Sequence, residues 1–426
     1  MSESKRNRRS FLQLALQGAA AAGTAKLYLM KDAFAQPSGP IVIGHHVELT
    51  GGFASWGYWH EKAGRKAVEL INEGGGIAGR KVELITEDTE SNPATGARKL
   101  RSLIQRSGAR FVVGSVHSGI MLASIPIATE LKTIYFSQGE ATEATGSKGT
   151  RYSFRTGTDT YGLAAAGVPW AFKNLGKNWT MIFPDYAWGH SHHQESKALV
   201  EKLGGKVNPP ISVPLDAKDL VPYLSRIPQD TEVLFSVFFG SLSVAFYTQA
   251  KSMGLEKTMR MYSVSGTIEA IAPDDIQGAA EGVYIVENFP RMLKYKDDEF
   301  HRQHNKIIEI DDIHARELTS RRVKAKSHSW QSWEDMFVLK QAIETAGWKT
   351  PKDTPAVIQA LEGMQLKNSL GHPQGDKYIR AEDHSGIIDC YISRVENGRL
   401  EVKVKVPKEE LVKELPPRVD FTKEKV

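Results

Sequence analysis

Between residues 41 and 136, short apolar runs alternate with longer segments whose apolar residues recur at helical spacing, and this alternation leaves few architectures open. Ile41–Val47 reads as a strand, after which Ala63, Ala67, Leu70 and Ile71 fall at i, i+4, i+7 and i+8 on one helix face. That helix stops at Asn72-Glu73-Gly74-Gly75-Gly76, because glycine takes the backbone conformation that ends helices. Residues 81–87 read as a strand, 93–107 as a helix with Leu100, Leu103 and Ile104 on one face, and Phe111–Gly114 as a strand. A helix over 120–131 and a strand over 133–136 follow. The expected fold class is α/β, a parallel sheet with helices on both faces, which places ligands at the carboxyl ends of its strands.

The pattern starts again near Tyr152, with strands expected over 180–183, 207–213, 233–238, 260–263 and 283–287 and helices over 191–203 and 243–254. Two lobes of similar build follow from this. Residues 292–348 read as wholly helical, most strongly over 330–346, and 351–363 add a short helix. Residues 387–395 and 400–406 form a hairpin turned at Glu396-Asn397-Gly398. The charged, Pro-bearing residues 407–426 read as a tail that is loosely packed or wraps the surface.

Charge is unevenly placed. Of 55 Lys and Arg against 50 Asp and Glu, six and two lie in residues 1–35, so the remainder is nearly neutral and nucleic acid is not an expected partner. The same leader carries Asn7-Arg8-Arg9-Ser10-Phe11-Leu12-Gln13, which resembles the twin-arginine export motif, then an Ala-rich apolar stretch and Ala33-Phe34-Ala35. Residues 1–35 thus read as a twin-arginine signal peptide cleaved after Ala35, which engages the twin-arginine export machinery and sends the chain to the periplasm. As a membrane span the stretch is too short, and Gln13, Gln17 and Lys26 interrupt it. Cys390 is the only cysteine, so no intrachain disulfide can form.

Residues 111–119, Phe-Val-Val-Gly-Ser-Val-His-Ser-Gly, pass from a strand into a helix start and admit two readings. One is an ordinary Ser-capped turn; the other is a cluster of backbone N–H groups that holds an anion. Gly74 to Lys81 resembles a phosphate-binding loop, but Arg80 replaces the needed Lys and a helix precedes where a strand should. His190, His192 and His193 crowd a helix start beside Asp185, yet the adjacent pair diverges by about 100° around a helix. His301 and His304 share a face near Asp297 and Asp298 and read as solvated surface. The spacing around Ser115 does not match a Gly-x-Ser-x-Gly elbow, and neither an enzyme nor a cofactor is expected. Aromatics are better placed: Trp56, Tyr58 and Trp59, then Tyr186 and Trp188, then Phe238 and Phe239, each follow or end an expected strand, as the walls of a small-molecule pocket would.

With these residues in place, residues 41–395 resemble the periplasmic solute-binding proteins of ABC importers, of the branched-chain amino acid type. The matching motifs are Leu49-Thr50-Gly51, Ile71-Asn72 with Gly75-Gly76-Ile77 and Gly79-Arg80-Lys81, the 111–119 loop and Phe154-Arg155-Thr156. Pro184-Asp185-Tyr186 with Gly189, Gln249-Ala250 with Gly254-Leu255, and Glu281-Gly282-Val283 complete them. The resemblance implies two Rossmann-like lobes, 40–157 plus 291–378 and 158–290 plus 379–406, joined by a three-crossover hinge and followed by the tail 407–426. It implies that Ser118, with Ser115 and His117 in the same loop, takes a ligand carboxylate, and that Gly139, Ala141 and Thr142 add backbone and a hydroxyl. Trp56, Tyr186, Trp188 and Phe239 would enclose the ligand body.

One departure bears on the ligand. Where amino acid binders of this family offer a carboxylate to the ammonium, this chain has Ser265, so a plain amino acid needs Glu140 or Glu269 as substitute. Neutral or anionic ligands gain weight, and the expected partners are a small-molecule ligand (a branched-chain or other amino acid, an aromatic or aliphatic carboxylate, or an amide) and a membrane ABC permease, with a monomeric state expected. A ligand-sensing receptor subunit and an exported metal-dependent enzyme are the alternatives.

Overall fold

A computed structural model describes residues 39–426 apart from 270, 272–275, 277, 324 and 325, and the side chains of 326–329. The twin-arginine motif and the cleavage point after Ala35 lie outside the described residues.

Five parallel strands form the first sheet: β1 (Ile41–Val47), β2 (Val82–Asp88), β3 (Phe111–Gly114), β4 (Ile134–Phe136) and β5 (Ser153–Phe154), in the order β2-β1-β3-β4-β5. β1 and β3 are buried almost throughout because helices cover both faces. α1 (Ala54–Glu73) turns Trp59, Ala63, Ala67 and Ile71 inward, the face read from the sequence. α2 (Pro93–Gln105) starts on Asn92, whose side chain accepts the Ala94 and Thr95 N–H groups, with Pro93 at the first position, where its missing N–H costs nothing. α3 (Ser118–Glu130) follows β3. The chain reverses direction across the sheet between β1 and β3, and a crevice opens there at the strands' carboxyl ends.

The second sheet runs β16-β15-β11-β10-β9-β6-β7, with β8 also on β6. Its strands are β6 (Asn178–Pro184), β7 (Lys206–Val207), β8 (Ile211–Val213), β9 (Val233–Ser236), β10 (Arg260–Val264), β11 (Tyr284–Glu287), β15 (Cys390–Glu396) and β16 (Arg399–Val406). β6 to β11 pair in parallel, and the β15–β16 hairpin joins antiparallel at the edge. α4 (Thr160–Asn174), α5 (Ala187–Lys202) and α6 (Gly240–Ser252) belong to this half. The single strand expected over 207–213 is two short ones, since Pro209 and Pro210 offer no N–H to a ladder.

The stretch 292–348 is not wholly helical. α7 (Glu299–Ile307) and α8 (Lys326–Ala346) flank a looped segment held by bridges Ile310 to Glu317 and Arg316 to Val323, and Glu309, Ala315 and Arg321 have positive φ, which a helix excludes. His301 and His304 are core residues rather than solvated ones: both are buried, and His304 stacks on Trp330 with centroids 3.9 Å apart. α8 returns the chain to the first half, where Ser332 Oγ lies 2.9 Å from His45 Nε2. α9 (Thr354–Leu361) and a small sheet of β12 (Gln365–Leu366), β13 (Lys377–Ile379) and β14 (Gly386–Ile387) follow before β15 crosses back.

The chain therefore passes between the halves three times, after β5, after β11 and before β15. At these crossings the Arg155 N–H donates to the His384 carbonyl at 3.1 Å. Gly386 allows the close approach, because a Cβ there would stand 2.3 Å from the Thr156 carbonyl oxygen. Asp335, buried in α8, accepts from Thr156 Oγ1 at 2.6 Å and Gln138 Nε2 at 3.2 Å, and burial pushes its carboxyl up to about 7.

The tail wraps the surface and is packed. Leu411 at the end of α10 (Lys408–Leu411), and Leu415 and Phe421 beyond it, are buried. Arg418 donates to both Glu195 carboxylate oxygens at 2.6 and 2.7 Å and lies 3.8 Å over the Tyr161 ring, while Arg151 donates to the Glu424 carbonyl at 2.6 Å.

Candidate functional site

The loops at the carboxyl ends of both sheets meet in one cavity. From the first half come Phe53 and Trp56 at the start of α1, Val116 after β3 and Glu140 after β4. From the second come Tyr186 and Trp188 after β6, Phe239 after β9 and Gly266 after β10. The recess between these walls is small, about 20 Å³. Its walls touch across the halves: Phe53 and Phe239 have ring centroids 4.5 Å apart, Trp56 and Phe239 5.8 Å, and Phe53 and Tyr186 6.1 Å. The cleft is thus closed on itself.

Glu140 is the one carboxylate among the described residues lining it. It is buried, accepts the Trp188 indole N–H at 2.8 Å, and has His192 Nε2 at 3.7 Å from the same oxygen. The Trp188 to Glu140 hydrogen bond joins the two halves. Gly266 makes room for that indole, because a Cβ at 266 would stand 2.8 Å from Trp188 Cζ2.

The loop after β3 is arranged differently from an open anion holder. His117, not a serine, caps α3: its Nδ1 accepts from the Gly119 N–H at 3.0 Å and the Ile120 N–H at 3.3 Å. Burial holds the imidazole down at about 4, so it stays neutral and keeps that lone pair. Glu48, just after β1, accepts the Ser115 hydroxyl and, at 3.3 Å, the His117 N–H. Burial raises its carboxyl to about 7 against these bonds. The Ser115 N–H goes to the Tyr135 hydroxyl at 2.8 Å. Of this loop's donors, the Ser115 N–H and hydroxyl and the N–H groups of His117, Gly119 and Ile120 are spent inside the protein.

The sequence-predicted residues therefore separate. Trp56, Tyr186, Trp188 and Phe239 line the cavity. Ser115, His117 and Ser118 do not; Ser118 Oγ accepts the Ala141 N–H at 3.4 Å, while the His117 ring packs behind the wall on Phe53 and Tyr186. Gly139 and Ala141 turn their carbonyls to the buried Arg155 guanidinium, at 2.7 and 3.1 Å. The Thr142 hydroxyl joins a buried cluster with Thr160 Oγ1 at 2.7 Å, which in turn meets Ser191 Oγ at 2.5 Å. Ser265 is buried next to the cavity, which its neighbour Gly266 lines, and Glu269 lies outside the lining. Sequence reasoning missed Phe53, Val116 and Gly266. Phe53 stands three residues before Trp56, a helical spacing that signals a shared face. The histidines of α5 diverge: His190 meets Asp185 Oδ1 at 2.7 Å in solvent, His192 is buried against Trp188, and His193 stacks on Phe183.

Comparison with known proteins agrees with this geometry. A family model described as periplasmic binding protein matches residues 40–399, which is all of the first sheet and the second up to its last strand. A Leu/Ile/Val-binding protein homolog 3 from Brucella melitensis is 28% identical over 336 residues, 78% of this chain and 86% of that protein. A homolog 8 from Brucella suis is 27% identical over 280 residues, 60% of this chain and 67% of that protein. Among solved structures, a solute-binding protein of an ABC transporter from R. palustris in complex with benzoate superposes with a TM-score of 0.75 at 18% identity, covering 87% of this chain and 97% of that one. A leucine-binding protein from Thermotoga maritima gives 0.72 at 20%, covering 87% and 99%. Two sheets crossed three times, a cleft at their facing strand ends and a family match across both halves lead to one conclusion: the chain belongs to the periplasmic binding protein family.

Proposed function

We propose that this chain is the exported solute receptor of an ABC importer, holding a small organic molecule between the rings of its two lobes and presenting it to a membrane permease. The lobes are 40–157 plus 291–378 and 158–290 plus 379–406, and the receptor acts as a monomer without catalysis. Residues 1–35 direct export through the twin-arginine machinery and are removed after Ala35. The carrying observation is the cavity walled by Phe53 and Trp56 from one lobe and Tyr186, Trp188 and Phe239 from the other. Because the walls meet across the cleft, a solute reaches them only when the hinge opens, and contacts to both lobes then favour the shut form. The similar solute-binding protein in complex with benzoate and the similar leucine-binding protein support a ligand of modest size with an apolar body.

Calorimetric titration with amino acids, aromatic acids, amines and amides tests the reading. A binding solute should lose about 10- to 100-fold in affinity with Trp188→Ala or Phe239→Ala, since a desolvated aromatic anchor is worth about 1.5 to 3 kcal/mol. Affinity unchanged in both variants would place the solute elsewhere.

A further inference from the structure

The two most exposed large apolar side chains among the described residues lie five positions apart on one loop: Leu318 at 59% and Ile313 at 44%. That loop, between α7 and α8, is braced. The bridges Ile310 to Glu317 and Arg316 to Val323 close it, and Asp311 takes the Ile313, His314 and Arg316 N–H groups at 3.0, 2.7 and 2.7 Å. Its other acidic side chains are matched within the protein as well. Glu317 is buried and accepts from Tyr58 and Lys62, Glu309 pairs with Lys62 at 3.0 Å, and Asp312 accepts from Asn305 Nδ2 at 2.8 Å. Arg321 and Arg322, three and four positions past Leu318, are exposed, and Lys324 and Lys326 follow in the sequence. The loop therefore shows solvent two apolar tips and a basic run, with its negative charges already offset.

We propose that residues 308–323 form a membrane-contact loop, in which Leu318 and Ile313 enter the headgroup boundary of an anionic lipid bilayer while Arg321 and Arg322 meet its phosphates. Apolar side chains gain by leaving water there, and basic ones gain from the negative surface potential. Two protruding tips suit a yielding lipid surface better than a stable protein partner, which needs a face of about 800 Å² on each side. The loop is held against α1: Arg322 lies 4.1 Å over the Tyr58 ring, and the Trp59 indole N–H donates to the Val323 carbonyl at 2.8 Å. Tyr58 stands two positions from Trp56 of the cavity wall, so a protein seated on this loop carries its cleft close to the membrane. The proposal rests on the reading above only in that a membrane lies within reach.

Sedimentation with vesicles of phosphatidylcholine, alone or with one-third phosphatidylglycerol, tests it on residues 36–426, the exported form, so that the basic leader does not bind in the loop's place. The expected result is binding to the phosphatidylglycerol vesicles alone, lost at high salt. Arg321→Asn should weaken it about fivefold, as loss of one cation at an anionic surface does, and Leu318→Ser about tenfold. Arg321 has a φ of 62°, which Asn accepts, and both side chains are exposed, so the variants should melt with the parent. No binding to phosphatidylglycerol, equal binding to both vesicles, or parental binding by both variants overturns the proposal. Attachment to native membranes but not to vesicles of their extracted lipids overturns it in favour of a protein partner. Solute capture is read separately by the calorimetric titration, and neither result decides the other.

Discussion

Glu48 lies buried among Ser115, His117 and the cavity wall, and its titration has a sign that can be measured. Unfolded, it ionises near 4.5; folded, burial delays this to about 7. Across that window the native state keeps a proton that the unfolded chain has released, so its contribution to stability falls as pH rises and stays reduced above 7. Glu48→Gln, which keeps an acceptor and removes the charge, should therefore melt higher than the parent at pH ~8, with the gap closing near pH ~5; a gap constant with pH would contradict the burial of that charge. His45, His46 and His372 act in the opposite sense, since burial holds them at about 3, 4 and 3 and stability drops as pH falls below 6.5. At Gly266 even one methyl group collides with Trp188, so Gly266→Ala should abolish solute binding while shifting the melting point little, as a displaced ring vacates the wall. Trp56, Tyr186, Trp188 and Phe239 were legible in the sequence because they follow strand ends, but the same pattern also offered Tyr58, Trp59 and Phe238, which pack elsewhere, on Glu317, Val323 and Phe246. The spent donors of residues 115–120 were not, because their acceptors, the Glu48 carboxylate and the His117 ring nitrogen, are chosen by folding rather than by spacing.

At the scale of elements, the start of α3 depends on an imidazole where Ser or Asn usually serves. His117→Ala should cost about 1 kcal/mol, within the usual cap range of about 0.5–2, and His117→Asn should recover most of it, as measured by urea unfolding. Equal loss in both variants would assign the cost to ring packing on Phe53 and Tyr186 instead. Strand and helix alternation made both sheets and the late hairpin readable. It failed where local chemistry overrode periodicity. Pro209 and Pro210 split one expected strand, and the bridged loop between α7 and α8 carried enough apolar residues to resemble helix. Its ties, such as Tyr58 to Glu317 at 2.6 Å and Lys62 to Glu317 at 2.6 Å, span more than half the chain and leave no mark in a local window.

For the whole molecule, the tail links parts that the hinge moves. Arg418 grips Glu195 on α5 of the second half, while Glu424 meets Arg151 just before β5 of the first and Phe421 is buried near Gly149 and His384. Removing residues 417–426 gives up the Phe421 burial, worth about 2 kcal/mol, and one restraint across the cleft. The truncated chain should melt lower and, without ligand, scatter X-rays with a larger radius of gyration; an unchanged profile would show that the tail does not restrain the lobes. A charged, Pro-bearing sequence could not distinguish this strap from a loose end, because three apolar anchors spaced along it acquire meaning only from the grooves they fill. The ring wall has a further, optical consequence. Trp56 and Trp188 stand on opposite lobes, 3% and 6% exposed, and both are wetted when the cleft opens. Their emission shifts to the red in water, so the protein's own fluorescence reads the hinge without an added dye.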